Sequence, residues 1–317
     1  MPTSSARPPV ESVVTSRANP LFKRLRALAQ STRRQRSEAI AWLEGPHLIR
    51  ALLDAQWAPG EWAVSSAVPP DGEVAALLAR GRAAGAQITA FEPSLFAQIS
   101  AASEATALVA IVPVPAAQGP LADGPLTASP LTTGPLTAGP LTTGPLTAGP
   151  LTAGPLTAGP LTAGPIGDVV VLDAVQDAGN VGAILRTAAA AGVRRVLLTP
   201  GCAYPWSSKV LRAGMGAHFA LTELVETTPE AIVAGLAGAA ITVTTLQSSK
   251  PLHEVDLRPP LAWIFGNEGA GVSPFWRDKA SLNLFIPQTD GVESLNVAAA
   301  AAVCLFEQRR QRITAAR

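Results

Sequence analysis

VVVLDAVQDAGNVGAILRTAAAA, Val169 to Ala191, sets the fold class. Four apolar residues and an Asp read as a buried strand. The loop carrying Gly179, Asn180 and Gly182 then opens an Ala-rich helix. A strand feeding a helix through a glycine loop is the elementary unit of an α/β sheet. Its helix N-terminus favours an anion. The pattern repeats downstream. Arg195–Thr199, Ile241–Leu246, Leu261–Phe265 and Leu284–Ile286 read as strands. Helices are expected near Val181–Ala191, Ser207–Ala213, Pro229–Ala237 and Ser294–Arg312. That alternation predicts a mostly parallel sheet with ligands at the strand ends.

Upstream lies a pentapeptide repeat with Pro at every fifth position from Pro120 to Pro165, and no charged residue separates Asp123 from Asp168. Proline at that spacing forbids a continuous helix or a central strand. The segment reads as a semi-extended tether that lets the part before it search while the part after it stays rigid. The expected division is therefore 1–115, a linker over 116–165, and 166–317. In the first part, Arg17, Lys23, Arg24, Arg26, Arg33, Arg34 and Arg36 carry no acid among them. Leu21, Phe22, Leu25 and Leu28 recur at helical spacing, predicting one basic amphipathic helix able to contact phosphates. Helical patterns at His47–Leu53 and Glu73–Ala83, with apolar runs at Trp62–Val64 and Leu108–Val112, predict a small α/β unit there.

Composition narrows the function. Lys plus Arg number 24 against 23 Asp plus Glu, a net charge of +1, so any basic footprint is local. Arginine supplies 20 of those cations and lysine 4, a ratio that suits phosphate contacts but that a genome rich in G and C explains better, so it decides nothing alone. Two cysteines, Cys202 and Cys304, with His47, His218 and His253, argue against a disulfide framework or a metal centre. The opening residues lack a signal-peptide core. The longest apolar run, Val297–Phe306, is too short to span a bilayer. A soluble cytoplasmic protein without metal or membrane partners is expected.

Two further glycine- and polar-rich loops accompany the first. IFGNEGAGV, Ile264–Val272, places Asn267 and Glu268 in a tight turn after a strand. IPQTDGVESLNVAA, Ile286–Ala299, places Ser294 and Asn296 at the start of a long helix, with Ser294 the expected N-cap. Gly179 and Gly182 stand three apart, only a partial dinucleotide fingerprint, and Asp173 precedes the loop. A nicotinamide-dependent oxidoreductase is thus a weak alternative.

Taken in order, N-x-G-x-x-x-R-T at Asn180–Thr187, FGNEGAG at Phe265–Gly271 and IPQTDGVESLNVAAAAA at Ile286–Ala302 resemble the three motifs of the SpoU/TrmH family of RNA 2′-O-ribose methyltransferases, in the SPOUT superfamily. Arg212, in KVLRAGMGAHF, fits a segment between the first and second motifs. TSRANPLFKRLRAL and EGPHLIRALL resemble the family's N-terminal substrate-binding extension. The resemblance implies an α/β fold with a deep C-terminal trefoil knot, a feature otherwise essentially absent from proteins. It implies S-adenosylmethionine as cofactor, a homodimer and an RNA substrate, ribosomal RNA before transfer RNA. A non-catalytic RNA-binding protein of the same fold is the remaining alternative. The implied catalytic residues are Arg186, Asn180, Glu268, Ser294 and Asn296. The implied cofactor residues are Thr244, Leu246, Gly266, Asn267, Gly269, Ile286 and Leu295, on loops Thr244–Gln247, Phe265–Gly271 and Ile286–Leu295. Arg212 joins the seven N-terminal cations as an RNA contact.

Overall fold

The computed structural model describes residues 13–100, 107–115, 167–236, 238–245, 249–289 and 294–315. The expected linker, 116–165, lies outside them.

The first part runs α1 (Pro20–Ala29), α2 (Thr32–Ser37), β1 (Ile40–Glu44), α3 (Pro46–Asp54), β2 (Glu61–Ser65), α4 (Glu73–Ala83), β3 (Gln87–Phe91), α5 (Pro93–Ile99) and β4 (Leu108–Pro113). Its sheet has the order β1-β4-β2-β3. β4 is antiparallel to both neighbours and β2 is parallel to β3. The single basic helix expected over Arg17–Arg36 is instead two. Asn19 caps α1 through the Leu21 and Phe22 amides, and the helix buries Phe22, Leu25 and Leu28. The chain then breaks, because Ser31 Oγ accepts from Arg34 N (3.2 Å) and starts α2. The buried Gln35 amide donates to Leu28 O at 2.8 Å and folds α2 back onto α1.

The second part runs β5 (Val169–Asp173), α6 (Ala178–Ala191), β6 (Arg195–Leu198), α7 (Ser208–Gly214), β7 (Glu223–Glu226), α8 (Pro229–Gly235), β8 (Ala240–Thr244), β9 (Lys250–Pro251), β10 (Leu261–Gly266), α9 (Pro274–Lys279), β11 (Leu282–Phe285) and α10 (Val297–Ala315). Seven strands form one sheet in the order β7-β6-β5-β10-β8-β11-β9, every adjacent pair parallel. Both faces are buried, which is why the strands read as apolar runs rather than alternations. Val170, Leu172, Val196, Trp263 and Phe265 pack on α6 and α10. Val169, Val171, Leu197 and Ile264 pack on Ile232 and Leu236 near α8 and on Trp276 of α9. α10 is fastened from below. Asp168 accepts from Arg312, from Gln308 (2.9 Å) and from Leu261 N (3.1 Å), while Gln308 accepts from Trp263 Nε1 (2.9 Å).

After β5 the chain moves outward through β6 to β7, then returns on the far side so that β10 lies against β5. That reversal opens a crevice beyond the strand C-termini, where open α/β sheets bind ligands. Asp173 and Gly266, the last residues of β5 and β10, end these neighbouring strands in register at its edge. The expected knot involves Ile286–Leu295, of which 290–293 lie outside the described residues.

Candidate functional site

β5 ends in a constrained turn. Ala174 adopts a φ of 53°, and its amide donates to Thr199 Oγ1 (3.0 Å) at the end of β6. The largely buried Asp173 carboxylate accepts from Ser273 N at 2.7 Å, closing the loop after β10 over the crevice. Asp177 then caps α6, accepting from Asn180 N at 2.8 Å and setting Asn180 in the first helical turn.

The loop after β10 is pinned twice. Asn267 and Gly271 exchange backbone hydrogen bonds (3.0 and 2.9 Å). The Asn267 side chain donates to Ala174 O (2.9 Å) and accepts from the Gly269 and Ala270 amides at 3.0 Å. Gly266 makes this closure possible. A Cβ there would lie 2.3 Å from Gly271 C and Val272 N, which are backbone atoms with nowhere to move.

Three of the expected site residues meet. The Glu268 carboxylate accepts from Gln176 N (3.1 Å), Asp177 N (3.0 Å) and Asn180 Nδ2 (3.0 Å). Asn180 Oδ1 in turn accepts from Asn296 Nδ2 at 2.9 Å. This chain links the loops after β5, β10 and β11 into one construction. Partial burial works to raise the Glu268 pKa, but the donors from Asn180 and the backbone outweigh it and hold the carboxylate below its ordinary value. Asn296 has a second duty: its Oδ1 accepts from Ala298 N (2.9 Å) and Ala299 N (3.2 Å). The cap of α10 is therefore Asn296 rather than Ser294, and the helix begins at Val297. Its side chain serves the helix through oxygen and the site through nitrogen.

Arg186 lies farther along α6, exposed, with no hydrogen bond or ion pair among the described residues; Ser294 is likewise exposed and unpaired. Thr244 ends β8, and Leu246 lies outside the described residues. Gly269 is exposed, Ile286 half-buried, and Leu295 is 37% exposed for an apolar side chain. Thr244, Gly269 and Ile286 thus lie at or just after the C-terminal ends of the adjacent strands β8, β10 and β11. Arg212 is exposed on α7.

Of the N-terminal cations, Arg24 pairs with Glu61 (2.8 Å), Arg34 with Glu38 (2.9 Å) and Arg36 with Glu226 (2.8 Å). Arg17, Lys23, Arg26 and Arg33 make no ion pair among the described residues. Sequence reasoning missed Asp173, Thr199 and Ser273 as shapers of the site, since each acts through loops distant in the chain. Asp177 was findable, because an Asp three residues before the helical Asn180 is a capping pattern. Among the described residues no helix is long and apolar enough to cross a membrane, and no cluster of His, Cys, Asp and Glu could hold a metal.

Residues 168–306 match the model of the SpoU rRNA Methylase family. The 23S rRNA (guanosine(2553)-2′-O)-methyltransferase RlmP of Bacillus subtilis is 40% identical over 142 residues, 44% of this chain and 57% of that protein. The 23S rRNA (guanosine-2′-O-)-methyltransferase RlmB of Bordetella pertussis is 37% identical over 153 residues, 45% of this chain and 60% of that protein. The chain thus spans little more than half the length of these curated relatives. The AdoMet-bound rRNA methyltransferase from Sinorhizobium meliloti is 26% identical, with a TM-score of 0.69 over 94% of this chain and 97% of its own. The SpoU methyltransferase AviRb from Streptomyces viridochromogenes, 22% identical, shares the fold with a TM-score of 0.70 over 94% of this chain and 99% of its own.

Proposed function

Residues 168–306 form a SpoU-family methylase domain, and from that premise we propose that the chain methylates a ribose 2′-hydroxyl in ribosomal RNA, with S-adenosylmethionine as donor. The observation that carries this reading is the Glu268–Asn180–Asn296 hydrogen-bond chain, which ties three loops together at the sheet's switch point. Residues 1–115 act as the RNA-gripping unit, 116–165 as the linker and 166–317 as the catalytic unit, knotted through its last loops.

Gly266, Asn267, Gly269, Ile286 and Leu295, with Thr244 and Leu246, would hold the cofactor. When bound, S-adenosylmethionine supplies an electrophilic sulfonium methyl. The chain's own task is to present the ribose oxygen in line with it. A guanidinium has donors and no acceptor, so Arg186 is given no role as the base. It holds the substrate phosphate and stabilises negative charge developing on the oxygen. Asn180, Glu268 and Asn296 fix the loops that receive the ribose, and the exposed Ser294 is a further contact for it. Arg17, Lys23, Arg26 and Arg33, with Arg212, contact RNA phosphates. Val303, Phe306 and Ile313, between 42% and 47% exposed along α10, support a homodimer packed through that helix. An rRNA substrate supports a cytoplasmic site of action.

The test is methyl transfer with Arg186→Lys. A drop of about 10²-fold, typical of removing a preorganised donor, is expected because an ammonium lacks the planar fork. Near-normal turnover would overturn the role given to Arg186.

A further inference from the structure

The two sheets are not independent bodies joined by a tether. Trp206 and Leu211, which follow β6, are buried in the same apolar cluster as Ala41, Leu43, Leu48 and Leu52 of the first sheet and α3. The Trp57 ring lies 5.5 Å from Trp206 and 5.1 Å, edge-on, from Phe219, and Trp206 lies 5.1 Å from His218. Around this aromatic centre run polar contacts. Arg36 donates to Glu226 at 2.8 Å and stacks over Tyr204 at 5.4 Å, while His47 Nε2 meets Met215 O at 3.2 Å. Gly216 lies so close to Ala51 that an added Cβ would sit 2.6 Å from that methyl.

The receiving surface adjoins the candidate site. α7 packs directly on α6, since a Cβ at Gly182 would come within 2.5 Å of Ala213 Cβ. Ala203, just before Tyr204, donates to Val175 O at 2.9 Å, two residues from the α6 cap. The elements that carry the N-terminal unit are therefore the ones that support Asn180 and Arg186.

We propose that Arg36 and Trp206 are positioning residues: they dock the N-terminal unit on α7 and the loop after β6, fixing the distance between the free cations Arg17, Lys23, Arg26 and Arg33 and Arg186. The inference rests on the RNA methyltransferase reading. It replaces the expectation of a freely searching unit. A bound ruler selects RNA whose gripped phosphates and target ribose are separated by that fixed span. With the unit docked, linker length does not set the local concentration of one unit around the other.

The full-length protein is assayed for methyl transfer to rRNA, with and without residues 130–149, in the unsubstituted chain and in Arg36→Glu, Glu226→Arg and the doubly swapped chain. Excision leaves the unsubstituted KM within twofold. Arg36→Glu raises KM for RNA threefold or more at low salt with little change in kcat, and the swap restores it. A phosphate contact at Arg36 would not be rescued by Glu226→Arg, so failure of rescue overturns the proposal. So does a KM that follows linker length in the unsubstituted chain. Small-angle scattering of the RNA-free protein reads docking without activity. Trp206→Ala is expected to extend the particle, and an unsubstituted particle already as extended as that variant overturns docking. A chain that transfers no methyl yet keeps a compact, excision-insensitive profile would refute the activity and support the docking.

Discussion

The Glu268 carboxylate is held below its ordinary value, despite partial burial, by the donors that converge on it, the Asn180 side-chain amide and the backbone amides of Asp177 and Gln176. Replacing it with Gln swaps one acceptor oxygen for an NH2 that faces those donors. A hydrogen bond to a charged group is worth roughly 1.5–3 kcal/mol, so Glu268→Gln is expected to cost on the order of 10- to 100-fold in methyl transfer. The sign of its pH dependence follows from its depressed pKa. The carboxylate's contribution is complete above the ordinary value of 4.5 and fades only as pH falls below that through the folded value. The variant should lack that acid limb when cofactor binding is followed by calorimetry against pH. A limb that persists would assign it to another group. Residue identities were legible in the three motifs, because Asn180, Glu268 and Asn296 stand where a loop meets a helix or strand. The division of labour between Ser294 and Asn296 was not. Both are good capping residues two positions apart, and only the path of the chain decides which one reaches the Ala298 and Ala299 amides.

At the scale of elements, the loop after β10 is closed by backbone packing on Gly266. Gly266→Ala would force the loop apart, at a cost of about 1–3 kcal/mol by the usual scale of overpacking. A lowered thermal midpoint with a larger loss of cofactor affinity is expected, read by calorimetry. Affinity unchanged beside a lowered midpoint would remove this loop from the cofactor site. The long buried strands were legible as apolar runs, since a strand covered on both faces has no other composition open to it. β7 escaped notice because Glu223 and Glu226 bracket two apolar residues, a pattern made stable by tertiary partners: Arg195 on Glu223 (2.5 Å) and Arg36 on Glu226. The six-residue α9 is too short to show a period, though its Trp276 is fully buried. The break between α1 and α2 hinged on one capping serine inside an otherwise helical pattern.

Across the whole molecule, His218 is buried beside Trp206 of the docking surface and hydrogen-bonded to Pro205 O. Burial lowers its pKa from 6.5 to about 4, against a smaller opposing effect of its hydrogen bond to Pro205 O. The unfolded chain therefore binds the extra proton over that window. Stability is complete above pH 6.5 and declines as pH falls toward 4, by up to roughly 3 kcal/mol for such a shift. His218→Gln should flatten the slope of urea midpoint against pH between those values; an unchanged slope would locate the acid sensitivity elsewhere. Docking of this kind could not be read from the sequence. A repeat with Pro at every fifth position looks like a tether, while the contacts that override it join Trp57 to Trp206 and Arg36 to Glu226 across more than a hundred residues.

Methyl transfer itself is read by incorporation of labelled methyl from S-adenosylmethionine into separated rRNA and tRNA fractions, with the unsubstituted chain and Arg186→Ala side by side. Label is expected in rRNA and is expected to vanish with Arg186→Ala. Label in tRNA alone would contradict the substrate, and no label in either fraction from a chain that binds the cofactor would contradict the activity.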